Sequence, residues 1–360
     1  MASAELNSIA MKMVARKKGI LAADESTGTI TRRLDSIGVE STEQSRRQWR
    51  QLLFQTSDIG DYISGVIMYD ETIRQSDDEG VSFVDLLAES DVLTGIKVDN
   101  STHDLAGAPG EVITEGLDGL RPRLAEYFLM GARFTKWRAL ITIGEGRPSD
   151  YAIRTNMHAL GRFAALSQEQ GLVPIVEPEV LMDGSHSIGD CRSATDRSLR
   201  TVFEELDAQN VDLEGIVLKP NMVLSGSDAP DRAPAAEVAR QTIDCFLEYV
   251  PASVPGIAFL SGGQGDEESV VNLDAINKIA GLSVKPPKGA FYILVDAKQL
   301  CSMMMVDDVG LAEVMLNEAL LAVVPGSAFA APGFLRLSYS VSMSELERAM
   351  DRLSDWVARA

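Results

Sequence analysis

Seven apolar runs recur at nearly even intervals, and that repeat constrains the fold more than any other feature of the chain. They begin near residues 20, 63, 96, 135, 173, 216 and 257, so successive starts lie 33 to 43 residues apart. Between them stand stretches whose apolar residues follow helical spacing, at 42–55, 120–131, 149–170, 195–208 and 235–249. Strand and helix alternating at about forty residues per unit is the pattern of βα repeats around a parallel sheet. Central strands of such a sheet read as unbroken apolar runs because helices cover both faces. Seven regular units predict an α/β fold of the TIM-type (β/α)8 barrel class, with seven strands clear and the eighth atypical. No Gly-x-Gly-x-x-Gly follows the first run, which argues against a dinucleotide-binding sheet.

The sixth run, Gly215 to Leu218, ends in Lys219. Lysine is almost never fully buried without a partner. One reading is an ammonium that reaches water or meets a carboxylate at the strand end. The other is an amine nucleophilic enough to form a Schiff base with a carbonyl substrate. The neighbouring runs bear on the choice. Asp24, Glu71, Lys97, Lys136, Glu177, Glu179, Lys219 and Ser261 all lie within or just after apolar runs, mostly toward their carboxyl ends. A barrel gathers those ends at one mouth, where active sites sit. Any one of these residues alone would read as structural; eight at one rim read as a site.

Composition narrows the class of ligand. The net charge of −20 argues against a nucleic-acid binder, whose affinity is mostly cationic. Three cysteines (Cys191, Cys245, Cys301) and three histidines (His103, His158, His186) are scattered. They offer neither a disulfide framework nor a metal-ligand spacing, which suits a reducing cytoplasm and a metal-free site. The first 19 residues lack the apolar core of a signal peptide, and no apolar run approaches the roughly 20 residues that span a bilayer. A soluble, cytoplasmic protein without membrane contact is expected. The helix expected at 4–17 reads as a surface helix, with Leu6, Ile9 and Met13 on its apolar face.

Several ordered segments resemble class I fructose-bisphosphate aldolase, the metal-free Schiff-base type, over about residues 5–281. They are Gly19-Ile-Leu-Ala-Ala-Asp-Glu-Ser-Thr-Gly28, Gly95-Ile-Lys-Val-Asp99, Thr135-Lys-Trp-Arg138, Val173-Pro-Ile-Val-Glu-Pro-Glu179 and Leu218-Lys-Pro-Asn-Met-Val223. Phe259-Leu-Ser-Gly-Gly-Gln264 and Asn272-Leu-Asp-Ala-Ile-Asn277 extend the match. The resemblance implies a lyase of glycolysis that reversibly cleaves fructose 1,6-bisphosphate to dihydroxyacetone phosphate and glyceraldehyde 3-phosphate. It makes Lys219 the Schiff-base lysine, Glu177 the acid/base and Glu179 the orienting carboxylate. Asp24 handles the proton at the cleaved bond, and Lys136 is the second lysine of the site. Lys97, Arg138 and Ser26 match substrate-contacting positions, and Ser261, Gly262 and Gly263 a phosphate-binding turn. A phosphorylated sugar substrate, no cofactor and a homo-oligomer, tetrameric in the family, are implied as well.

The residue types suit that chemistry on their own terms. An amine attacks a ketone only when unprotonated, and a cation such as Lys136 nearby favours that state. A carboxylate such as Glu177 can shuttle the protons needed to form and lose carbinolamine water. Backbone N–H groups of a glycine turn can hold a phosphate without crowding.

Beyond Ile279 the aldolase pattern stops, and the expected eighth strand with its phosphate-binding arginine has no counterpart. Residues 284–360, with Pro287 to Val295, Ala322 to Phe329 and Gly333 to Tyr339, resemble the small-domain end of a fold type I pyridoxal-phosphate aminotransferase. In that family the arginine matching Arg336 grips the substrate carboxylate, but the part bearing the cofactor lysine and phosphate cup is absent. Two domains follow as an expectation, an aldolase-like barrel at 1–282 and an α+β segment at 283–360. Two readings of the join are open. Residues 291–295 could serve as strand eight with 307–322 as the closing helix. Alternatively the tail forms its own α+β unit, with a last helix at 344–359. The tail's pattern is complete in itself, which favours the second. The functional alternatives are an aldolase hybrid impaired by its replaced eighth strand, or a fragment of a pyridoxal-dependent aminotransferase.

Overall fold

The structure, a computed structural model, describes residues 3–279, 292–297, 301, 304–321, 323–325, 327, 333–338, 352 and 356. It divides into two compact units, Met1–Asn277 and Lys278–Ala360.

In the first unit, β1 (Gly19–Ala23), β2 (Ile63–Met68) and β3 (Leu93–Lys97) are followed by a small hairpin of β4 (Thr102–Asp104) and β5 (Val112–Thr114). Next come β6 (Phe134–Ile141), β7 (Val173–Val180) and β8 (Val217–Leu218). The strands β1, β2, β3, β6, β7 and β8 pair in that order, every pair parallel, in a curled sheet of the TIM type. The seventh run lies beside β8 but is reduced to a single bridge, Leu218 to Ile257. Leu218 N donates to Gly256 O (3.3 Å), Ala258 N to Leu218 O (2.9 Å) and Leu260 N to Pro220 O (3.4 Å). Pro220 has no N–H to return, so the ladder is cut short there.

The helices follow the periodicity. Glu43–Phe54 starts with a capping box between Thr42 and Ser45, and Asp150–Glu169 is capped by Ser149. The helix expected from 195 begins earlier, as Ile188–Ala208, because Ser187 and Asp190 form a capping box upstream of its apolar stripe.

A sheet curled in the TIM manner must fill its concave interior with side chains. Ile67, Phe134, Val173, Ile175 and Val217 do so here, together with Leu6, Ala10 and Met13 of helix Ser3–Met13. That helix is therefore half core: its apolar stripe joins the barrel interior rather than lying on the surface. Phe134 needs room from its neighbours. A Cβ built on Gly95 would stand 2.1 Å from its ring, and one on Gly65 2.9 Å.

In the second unit, β9 (Tyr292–Asp296) pairs antiparallel with β11 (Phe334–Ser338), and β11 with β10 (Val324–Pro325). Strand β9 thus belongs to a three-stranded sheet of its own and not to the parallel sheet. The expected closing helix is a short α-helix, Asp308–Val314, running into a π-turn at Met315–Ala319. Of the last expected helix, 344–359, the structure describes only residues 352 and 356, both helical, and the Arg336 side chain falls outside the described residues.

Replacing Gly95 by alanine is expected to destabilise the protein by about 1–3 kcal/mol through overpacking against Phe134. The same change at Gly19, with nothing within 4 Å of the added Cβ, is expected to cost much less. Urea midpoints of the two variants would separate these outcomes, and equal midpoints would refute the packing argument.

Candidate active site

Side chains alternate along a strand, so the residues two positions beyond the interior layer form the next layer toward the carboxyl ends. Lys136 follows Phe134, Glu177 follows Ile175, and Lys219 follows Val217, each at that spacing. Register puts Lys97 opposite Lys136 and Lys136 opposite Ile175, while Asp24 comes directly after β1. The polar groups therefore occupy two successive levels toward the carboxyl ends of the strands, Lys97 and Lys136 in register with Ile175 and Glu177 in register with Arg138.

Across those levels the side chains touch. Lys219 Nζ lies 2.5 Å from Glu177 Oε1, and Lys136 Nζ lies 3.1 Å from Glu177 Oε2 and 3.1 Å from Asp24 Oδ2. The chain Lys219–Glu177–Lys136–Asp24 is continuous, and each of its side chains is 13% exposed or less. Burial pushes the Asp24 carboxyl upward, but Lys136, helped by Lys219 and Lys97, outweighs it and holds Asp24 below the usual carboxylate range. Burial pushes Lys136 down, yet Glu177, Asp24 and Asp99 overcome it and keep the ammonium above its ordinary value. Lys136 is thus a standing cation between two carboxylates.

The remaining candidates fall around this chain. Lys97 donates to Asp99 Oδ1 (2.5 Å) and to Asp99 O (2.9 Å), and acts on Asp24 through its field alone. Ser26 and Lys97 share a cavity of about 460 Å³ with Asp99, Arg123 and Tyr127. Arg138 and Glu179, each two residues beyond Lys136 and Glu177, form their own ion pair. Ser261, Gly262 and Gly263 make a turn with φ of 64° and 89° at the two glycines, a left-handed backbone that glycine adopts without strain. Gln264 fixes the turn by donating to Ser261 O, from its backbone N at 3.1 Å and its Nε2 at 2.8 Å. Asn272 Nδ2 in turn donates to Gln264 Oε1 at 2.7 Å. Among the described residues no hydrogen bond links this turn to the lysine chain. Glu71 is engaged elsewhere, in a bidentate pair with Arg46 (2.8 and 2.6 Å).

Three supporting residues were not singled out by their sequence. Asp99 holds Lys97, and Arg50 holds the backbone around Asp24. Asn221 accepts from Val180 N at 3.0 Å and donates to Thr195 Oγ1 at 3.2 Å, pinning the chain after Lys219 to the end of β7. Arg50 stands four residues before Phe54 on one helical face, and both are buried, but the sequence alone shows only a charge on an apolar stripe.

This arrangement sits within a matched family. The model for fructose-bisphosphate aldolase class-I covers residues 5–291. A second model, aminotransferase class I and II, matches only residues 267–353. A probable fructose-bisphosphate aldolase class 1 of Xanthomonas campestris pv. campestris is 52% identical over 278 residues, 77% of this chain and 83% of its own length. Cytoplasmic isozyme 2 of fructose-bisphosphate aldolase from Pisum sativum is 53% identical over 265 residues, 73% of this chain and 74% of its own. Among solved structures, the fructose-bisphosphate aldolase of Plasmodium falciparum, crystallised with TRAP and a small-molecule inhibitor, superposes with a TM-score of 0.76. It is 44% identical, covering 77% of this chain and 80% of that one. The sheet order, the lysine–carboxylate chain and these matches agree: the chain belongs to the class I fructose-bisphosphate aldolase family.

Proposed function

We propose that this protein reversibly cleaves fructose 1,6-bisphosphate to dihydroxyacetone phosphate and glyceraldehyde 3-phosphate through an iminium on Lys219. The observation that carries the reading is Glu177, one buried carboxylate bridging two lysines. Its Oε1, 2.5 Å from Lys219, takes a proton from that ammonium and frees the amine to add to the ketose carbonyl. Glu177 then returns the proton to the carbinolamine hydroxyl, which leaves as water. The iminium draws in the electrons of the bond between the third and fourth carbons. Asp24, ionised because Lys136 holds it so, takes the proton of the adjacent hydroxyl as the aldehyde forms. Protonation of the enamine and hydrolysis release the second product and restore Lys219.

The outer residues take supporting roles in this reading. Ser26 and Lys97 meet one phosphate, and the Ser261–Gly262–Gly263 turn offers backbone N–H groups to the other. Arg138 and Glu179 orient the sugar between them. The C-terminal segment, with the domain boundary placed at 282/283, is read as an aminotransferase-like α+β unit. The match over residues 267–353 and the three-stranded antiparallel sheet support that assignment. A cytoplasmic setting is inferred from the cytoplasmic relative, and association into a homo-oligomer from the family resemblance.

Borohydride added with dihydroxyacetone phosphate is expected to fix a three-carbon adduct on Lys219, located by peptide mass. Lys219→Met is expected to abolish the adduct and to lower cleavage by about 10³-fold or more. Unchanged cleavage in that variant would end the proposal, whereas full trapping with slow cleavage in the parent would mark an impaired hybrid.

Lys136→Met removes the cation that holds Asp24 down, leaving burial to raise it. The acid limb of the kcat profile is therefore expected to move to higher pH, whatever the residual rate. A limb that stays in place would exclude Asp24 as the group that must be ionised.

A further inference from the structure

Strand β1 ends at Ala23, one residue before Asp24, and among the described residues it is an outer strand of the sheet order. Asp24 must nevertheless hold its carboxylate 3.1 Å from Lys136. Asp24 and Glu25 lie outside strand and helix, and helix Thr27–Ser36 begins only after its N-cap, Ser26, whose O accepts from Thr29 N (2.9 Å) and Ile30 N (3.0 Å). What fixes the chain there is Arg50, reaching across from helix Glu43–Phe54. Its Nε donates to Ala23 O at 3.2 Å, and its Nη2 donates to Glu25 O at 3.1 Å and to Glu25 Oε2 at 3.0 Å. The other oxygen of Glu25 pairs with Arg33.

Arg50 is 1% exposed, and burying a guanidinium is costly. A methionine on the same helical stripe would pack against Phe54 without that cost. The guanidinium adds something packing cannot: donors in a rigid fork, one on each side of a single residue. The carbonyls of Ala23 and Glu25 belong to positions flanking Asp24, so gripping both restricts the backbone on either side of Asp24 and with it the direction of its Cα–Cβ bond.

We infer that Arg50 is a positioning residue for bond cleavage, setting the direction of the Asp24 carboxylate from behind the barrel wall. This rests on the role proposed above for Asp24. Glu25 serves as the counter-ion that makes the buried fork tolerable, and Arg50 has no contact with Lys219, Glu177 or Lys136 among its hydrogen bonds. Arg50 therefore acts on the cleavage step and leaves Schiff-base formation alone.

The test uses the full chain with Arg50→Met and Arg50→Lys. Two quantities are read: kcat and KM for fructose 1,6-bisphosphate cleavage, and the borohydride-trapped adduct formed on Lys219 with dihydroxyacetone phosphate. A misdirected carboxylate is expected to lower kcat by about tenfold or more, with KM and trapping each within about threefold of the parent. Cleavage equal to that of the parent would overturn the inference. So would trapping that falls in step with kcat, which would make Arg50 a merely structural residue. Should Arg50→Met fail to fold, Arg50→Lys decides alone, since it keeps the charge beside Glu25 but not the two-sided grip. A parent chain that neither traps nor cleaves would overturn the reading of the site and this inference together. A parent competent in both, beside an equally competent variant, would overturn only the inference.

Discussion

One carboxylate shared by two ammonium groups is the interaction on which the rest of the structure depends. Each oxygen of Glu177 faces a different lysine, and the second of those lysines faces a second carboxylate. A buried charge left alone costs several kcal/mol, and removing one partner of such a set leaves another uncompensated. The four groups are thus mutually obligatory at the top of an otherwise apolar interior. The barrel beneath them accounts for their meeting, because parallel register brings Lys97 and Lys136 to one level and Glu177 to the next, close enough for the side chains to span.

The division of labour between the two lysines follows from their surroundings. Lys136 lies between Asp24 and Glu177 and feels Asp99 as well, so it stays charged. Lys219 has a single short partner, which is also a base. One lysine therefore supplies a fixed field while the other has a proton acceptor at hand. Two lysines of the same chemical type come to differ through the number of carboxylates each meets.

Much of this was legible in the sequence, and the reasons are physical. Period and length of the apolar runs gave the strands, since a doubly covered strand must be apolar along its whole length. The acids and lysines at the strand ends were visible because they interrupt such runs. Strand seven was harder: its apolar residues were plain, but Pro220, two residues beyond the end of β8, limits the ladder to one bridge. The helix Ser3–Met13 showed its stripe, yet nothing local told that the stripe would enter the barrel rather than lie on its flank. Arg50 was hidden for a related reason. A charge on an apolar stripe looks like a break in the pattern until the carbonyls that accept from it, 25 and 27 residues away, are placed in space. For the C-terminal segment the repeat interval could accommodate β9 as an eighth strand, but interval alone carries no information about pairing direction, and β9 runs antiparallel to β11.

The ring of Phe134 occupies the space above two glycines on two neighbouring strands, Gly65 and Gly95. Three positions far apart in sequence therefore share one volume. Sequence drift at any of them is tied to the others: a larger residue at 65 or 95 becomes admissible only where 134 has shrunk, and a smaller residue at 134 leaves a void until one of the glycines grows to fill it. The barrel floor would thus vary as a set or not at all.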